Sequence, residues 1–170
     1  MSYDIKAIEV INTLEKTISN NKYSEYIKEI AKFIKEIDSN NKIVSIFGNG
    51  GSAADSQHFA AELVCTYEDR ERKPYKALAL TTDTSIISAW SNDFTYETVF
   101  KRQIEAFREI IGLAVGLSTS GTSNNVIEGL KKAHELGIKT CLICGNNDLN
   151  YEYVDFVLKI PSKNTATIQT

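Results

Sequence analysis

Between Ile43 and Leu63 the chain reads Ile-Val-Ser-Ile-Phe-Gly-Asn-Gly-Gly-Ser-Ala-Ala-Asp-Ser-Gln-His-Phe-Ala-Ala-Glu-Leu. A β-branched run passes through a glycine turn into an Ala-rich segment with helical spacing, a strand–turn–helix unit. Gly48, Gly50 and Gly51 permit backbone conformations and close approaches that a side chain would block. Ser52 is read as the N-cap of the helix, which leaves free backbone N–H groups aimed above the turn. One turn further on, His58 and Glu62 stand at i and i+4 and share a helical face. An anion-ready turn followed by an imidazole and a carboxylate points to chemistry on a phosphorylated substrate.

The rest of the chain repeats this alternation. Apolar residues at helical spacing (Ile8, Ile11, Leu14, Ile18, then Ile27, Ile30, Ile34, Ile37) predict amphipathic helices over 3–19 and 24–38, separated by Asn-rich breaks. Their stripes must cover a sheet or another subunit. A charged loop, Glu68 to Lys73, ends at Pro74. Further strands are predicted over 77–81, 112–117, 139–143 and 155–160. Helices are predicted over 85–90 (ended by Ser91-Asn-Asp93), 96–107 and 125–136. Strands alternating with helices imply βαβ units and a parallel sheet in a single domain spanning 1–170. At the end, Thr165-Ala-Thr-Ile-Gln-Thr170 has the look of a cap and first turn. So short a helix is unstable alone, so the chain is either cut there or ends in a loose tail.

Composition narrows the function. The formal net charge is -3, which gives no electrostatic case for nucleic acid. No apolar run approaches the roughly 20 residues of a membrane span, and the N-terminus lacks the layout of a signal peptide. Three cysteines suit a reducing cytoplasm better than a disulfide framework.

Gly48-Asn-Gly-Gly-Ser-Ala53 also fits a loose dinucleotide fingerprint, but the acid expected roughly 20 residues on falls in the charged loop, before the second strand begins. Ser118-Thr-Ser-Gly-Thr-Ser123 follows one strand and precedes a helix. Its hydroxyls and the helix N-terminus offer donors to a phosphate, where a plain βα loop needs a single capping Ser. Two donor-rich loops at carboxyl ends of parallel strands match the ligand crevice of an open α/β sheet. The His58–Glu62 pair has three readings: a solvated i,i+4 pair, a general base at Glu62 made more basic by burial, or two ligands of a zinc site. Cys141 and Cys144 lie on one strand at odd spacing, so their thiols face opposite sides. His134 is a surface residue in mid-helix.

These residues together resemble the phosphoheptose isomerases of the sugar-isomerase (SIS) superfamily, over nearly the whole chain. The resemblance rests on Gly48-Asn-Gly-Gly-Ser52, His58-Phe-Ala-Ala-Glu62, Asn92-Asp-Phe94, Ser118 to Ser123 and Thr165-Ala-Thr-Ile-Gln169. It implies a three-layer αβα sandwich with a five-stranded parallel sheet, flavodoxin-like, and residues 1–40 as a helical pair used in assembling a homotetramer. It assigns the phosphate to Ser118, Thr119, Ser120 and Ser123. Asn49, Gly50, Gly51, Ser52, Asn92 and Asp93 would line the sugar, with Gln169 also at the substrate. Glu62 would move the proton, with His58 as its catalytic partner, and His58, Glu62 and Gln169 would be zinc ligands. The implied reaction converts sedoheptulose 7-phosphate to D-glycero-D-manno-heptose 7-phosphate, towards heptose for lipopolysaccharide or capsule, in the cytoplasm.

The resemblance also implies a helix beyond Thr170 with a histidine as fourth zinc ligand and second acid/base group. Thr167 stands where relatives often carry Arg. A second reading is a non-catalytic SIS module that binds a sugar phosphate or a protein partner such as a replication initiator. Retention of both His58 and Glu62 favours the enzyme.

Overall fold

The computed structural model describes residues 3–170. Helices α1 (Tyr3–Ile18) and α2 (Asn21–Ser39) precede the first strand. Strands β1 (Ile43–Gly48), β2 (Ala77–Ala79), β3 (Ile111–Ser118), β4 (Lys139–Gly145) and β5 (Phe156–Ile160) form one parallel sheet in the order β2-β1-β3-β4-β5. Helices α3 (Gly51–Val64), α4 (Thr84–Asp93), α5 (Val99–Phe107), α6 (Asn124–Glu135) and α7 (Thr165–Ile168) occur between and after the strands.

The sheet is sandwiched because both of its faces are apolar. On one side Ile30, Ile34 and Ile37 of α2 and Ala60 of α3 pack on Val44, Ile46, Leu113, Val115 and Cys141. On the other, Phe100 and Ile104 of α5 and Val126 and Leu130 of α6 pack on Phe47, Ala114, Leu142 and Cys144. Alternate residues of each strand feed alternate layers, as the pleat requires. Each fully buried Phe or Leu here stabilises the fold by about 1.5–3 kcal/mol. Cys141 and Cys144 do fall on opposite faces, and His134 is exposed, both as the spacing predicts.

The two Ile-rich stripes separate in the structure. Ile30, Ile34 and Ile37 are buried on the sheet, whereas Ile8, Ile11, Leu14, Ile18 and Ile27 are exposed. The α1 stripe is therefore not part of the core of one chain.

Several boundaries differ from the sequence expectation. Helix α2 begins at Asn21, because the Asn20 side chain accepts from Lys22 N–H and caps it earlier than the break suggests. Residues 91–93, expected to terminate α4, form its last turn, while Asp83 caps its start by accepting from Ile86 N–H. The expected helix 96–107 opens with a 3-10 turn over Tyr96–Thr98. Strand β2 is only three residues long, and β4 runs two residues further than expected, to Gly145.

Candidate active site at the strand crossover

The sheet order reverses direction between β1 and β3. Chain leaving β1 turns into α3 on one face, and chain leaving β3 turns into α6 on the other, so a crevice opens beyond their carboxyl ends. A cleft of about 400 Å³ lies there, lined among others by Ser52, His58, Glu62, Thr119 and Gln169.

Its first wall is the start of α3. Gly50 has φ 55°, a conformation that side chains resist, and it turns the chain directly into the helix. The N-cap is therefore Gly50 and not Ser52, which corrects the sequence expectation. Ser52 is buried at the second helical position, where its Oγ accepts from Gln169 Nε2 at 3.1 Å. With no side-chain cap, the first amides of α3 stay available to a ligand.

His58 and Glu62 follow on the same face. His58 Nε2 lies 3.7 Å from Glu62 Oε1. The histidine side chain is 77% exposed and that of Glu62 33% exposed. Glu62 Oε2 is buried with no hydrogen-bond partner, an atom whose desolvation goes uncompensated. Behind it, Arg72 of the charged loop donates to the carbonyls of Glu62 (2.7 Å) and Leu63 (3.1 Å), closing the C-terminal end of α3. Asp55, the other carboxylate of this segment, also lines the cleft.

The second wall is the loop from Ser118 to Ser123. Ser118 is buried, with its Oγ 2.9 Å from Ser123 Oγ. Ser120 Oγ accepts from Thr122 N–H (3.1 Å) and lies 2.9 Å from Thr122 Oγ1, whose proton it can also accept. In that arrangement the Ser120 proton is left to be donated outward. Thr119 Oγ1 meets Thr165 Oγ1 at 3.4 Å. The third wall is α7, capped by Asn164, which carries Gln169 directly over Gly51. A methyl group at Gly51 would stand 2.7 Å from Gln169 Nε2.

The structure thus brings Gly51, Ser52, His58, Glu62, Ser118, Thr119 and Gln169 together. Ser120 and Ser123 belong to the same loop but are not part of the cleft lining. Asn49 faces a neighbouring shallow cleft, paired with the Asn125 amide at 2.8 Å in both directions and accepting from Tyr96 Oη at 2.8 Å. Asn92 and Asp93 are exposed at the end of α4, bonded to each other and outside both clefts. Sequence reasoning passed over Asn147 and Tyr151, which touch the 118–123 loop from the β4–β5 connection. The signal for them was an Asn-Asn-Asp run just past a strand, at the crevice end of the sheet.

An SIS domain model matches residues 7–145. A phosphoheptose isomerase of Aquifex aeolicus is 46% identical over 148 residues, 86% of this chain and 77% of that protein. The chain belongs to the phosphoheptose isomerase family. A structure of a phosphoheptose isomerase from Neisseria gonorrhoeae superposes with a TM-score of 0.81 at 34% identity, covering 98% of this chain and 88% of that one. One from Francisella tularensis gives 0.83 at 26% identity, covering 98% and 87%. The five-stranded parallel sheet and the N-terminal helix pair are those of this family.

Among the described residues no three His, Cys, Asp or Glu side chains converge on a point that could hold a metal. A metal would need the Gln169 amide oxygen beside His58 and Glu62. Those three fit. Donors about 2 Å from a tetrahedral zinc ion stand about 3.3 Å apart, close to the 3.7 Å between His58 and Glu62. The other oxygen of the same carboxylate, Oε2, is a buried acceptor without a partner.

Proposed function

We propose that this chain is a cytoplasmic aldose–ketose isomerase that converts sedoheptulose 7-phosphate to D-glycero-D-manno-heptose 7-phosphate, supplying heptose to a surface polysaccharide. The observation that carries this reading is the placement of a desolvated, unpartnered Glu62 oxygen across one crevice from a hydroxyl-rich loop at the start of α6.

The phosphate binds at Ser118, Thr119, Ser120 and Ser123, where hydroxyl protons and the free first amides of α6 meet its charge. The sugar extends over Asn49, Gly50, Gly51 and Ser52 towards Glu62 and Gln169. Glu62 takes the proton from the carbon beside the carbonyl and returns it to the former carbonyl carbon, through an enediol(ate), while the hydroxyl proton passes from one substrate oxygen to the other. Its buried oxygen is spared the reorganisation that a fully hydrated carboxylate would need. His58, Glu62 and Gln169 would hold a zinc ion, which when bound supplies Lewis-acid polarisation of the substrate oxygens. His58, mostly in solvent, is free to turn towards either partner.

The assembly is a homotetramer. Ile8, Ile11, Leu14 and Ile18 form an exposed apolar row on α1, and rows of this kind mark interfaces between subunits. Asn92 and Asp93, outside the cleft of one chain, are assigned to sugar held between subunits.

Following the conversion of sedoheptulose 7-phosphate by NMR, with and without added zinc, tests the activity. Product at a rate that saturates with substrate is expected. A protein that binds the sugar phosphate yet never produces the aldose, under either condition, would instead be a binding module.

A further inference from the structure

Asn147 and Tyr151 lie in the connection between β4 and β5, beside the 118–123 loop. Asn147 Nδ2 donates to the Ser120 carbonyl at 3.1 Å, with the Gly145 carbonyl at 3.3 Å. Tyr151 is buried, and its single hydroxyl proton is shared between the Gly121 carbonyl (3.3 Å) and Asn147 Oδ1 (3.2 Å). Two successive carbonyls of the loop are therefore tied back to the β4–β5 connection.

The brace is itself held in place. Lys159 Nζ donates to the carbonyls of Asn147 (2.7 Å) and Leu149 (3.0 Å). Asn147 Oδ1 accepts from Leu149 N–H at 3.1 Å, an Asx turn that fixes the amide. Burial, and then the neighbouring Cys144 thiol, push the Tyr151 hydroxyl up to about 12, so it stays a donor at any working pH. Gly121 completes the fit. Its φ is 72°, and a Cβ there would sit 2.1 Å from Tyr151 Oη and 2.6 Å from Asn147 Nδ2.

We infer that Asn147 and Tyr151 are positioning residues for phosphate binding, turning the Ser120 and Gly121 carbonyls away from the crevice so that hydroxyls and amides face the anion. A carbonyl oxygen directed at a phosphate repels it, so the orientation of these two peptides matters as much as the side chains. This rests on the reading of residues 118–123 as the phosphate loop.

The test uses Tyr151→Phe and Asn147→Ala, with Tyr153→Phe as the control. Tyr153 lies in the same connection, its ring edge-on to Tyr151 at 6.3 Å, with no hydrogen bond to the loop. Inorganic phosphate binding is measured by calorimetry and sedoheptulose 7-phosphate turnover by steady-state kinetics. Each test variant should weaken phosphate binding and raise KM together, by about three- to tenfold. With that, kcat should stay within about twofold of the parent, because the lost interaction is made equally in ground and transition states. The control should match the parent in both. If the variants bind phosphate as the parent does, whatever their thermal stability, the brace is only structural and the inference is wrong. If the parent binds phosphate without turnover and the variants still bind it more weakly, the isomerase reading fails and the brace stands.

Discussion

His58 Nε2 and Glu62 Oε1 lie 3.7 Å apart on one face of α3, but only the glutamate reaches into the protein. The histidine has solvent on most of its surface, while the far oxygen of Glu62 is desolvated and bonded to nothing. Under the proposed function this asymmetry divides their roles: Glu62, with its desolvated oxygen, takes the proton, and the exposed His58 adjusts to substrate or metal.

Glu62→Gln should fold with near-parental thermal stability and still bind sedoheptulose 7-phosphate, with turnover lowered by roughly 10²–10⁴-fold. The substitution keeps the shape and removes the base. Asp55→Asn, on the same face and also in the cleft, should cost far less. Comparing kcat for the two variants decides between the carboxylates, and the reverse ranking would move the base to Asp55.

Zinc should raise the unfolding temperature of the parent protein by several degrees at concentrations well above its dissociation constant, since ligand binding to the native state adds stability. His58→Ala and Gln169→Ala should each lose that shift. Thermal unfolding with zinc and with a chelator measures it directly, and a shift unchanged in both variants would place the metal elsewhere.

Gly51→Ala should leave folding nearly intact but impair the site. The three atoms nearest the added methyl all belong to the far end of the Gln169 side chain, which can swing aside at little cost. In doing so it breaks the Gln169–Ser52 bond and withdraws the amide from the cleft. Expected is a small change in melting temperature with at least a tenfold loss of kcat/KM, about 1.4 kcal/mol of transition-state stabilisation.

Asp155 gives a stability dependence on pH. Burial works to raise its pKa, but the Lys139 ammonium and the amide and hydroxyl of Thr140 together hold it below the ordinary carboxylate range. A pKa lowered by folding contributes stability that is present above the unfolded value near 4 and fades as pH falls through the folded one. Asp155→Asn should therefore cost about 1–3 kcal/mol at pH 7. The gap should narrow as the pH drops below 4, as read by urea unfolding at several pH values. A gap that stays constant would show that the loss is steric.

Ile11→Glu with Leu14→Lys, in the exposed row of α1, should convert the proposed tetramer into smaller species without unfolding the chain, because neither side chain is in the core. Sedimentation velocity reads the change, and circular dichroism checks the fold. A parent protein that sediments only as a monomer would remove the tetramer.

Much of this was legible in the chain. Alternating β-branched runs and helical periodicity gave the layers, because burial on two faces leaves a pattern in every element. The strand order was not legible from periodicity, which implies parallelism but not neighbours; it is read from the structure. Ser52 was misread because the side chain best suited to capping sits two residues past the point where Gly50, in a left-handed conformation, has already started the helix. The end of α4 was misread because Ser91, Asn92 and Asp93 look like a terminator, yet Ser91 Oγ bonds back to the Ile87 carbonyl and lets the turn continue. The Asn147–Tyr151 brace was missed for a different reason. The Asn146-Asn-Asp148 run marks a turn past a strand, but its contacts with the 118–123 loop span about thirty residues of sequence.

Cys141 and Cys144 are three residues apart on β4, yet the sheet itself stands between their sulfurs, each sunk in a different apolar layer. Burial raises both thiols above their ordinary range, Cys141 to about 12, so neither is a ready nucleophile while the strand is paired. A bridge between them requires β4 to leave the sheet. Oxidative crosslinking of this pair would then serve as a chemical recorder of unfolding, accumulating in proportion to the time a population spends open. Exposed Cys65 would report encounters between folded molecules instead.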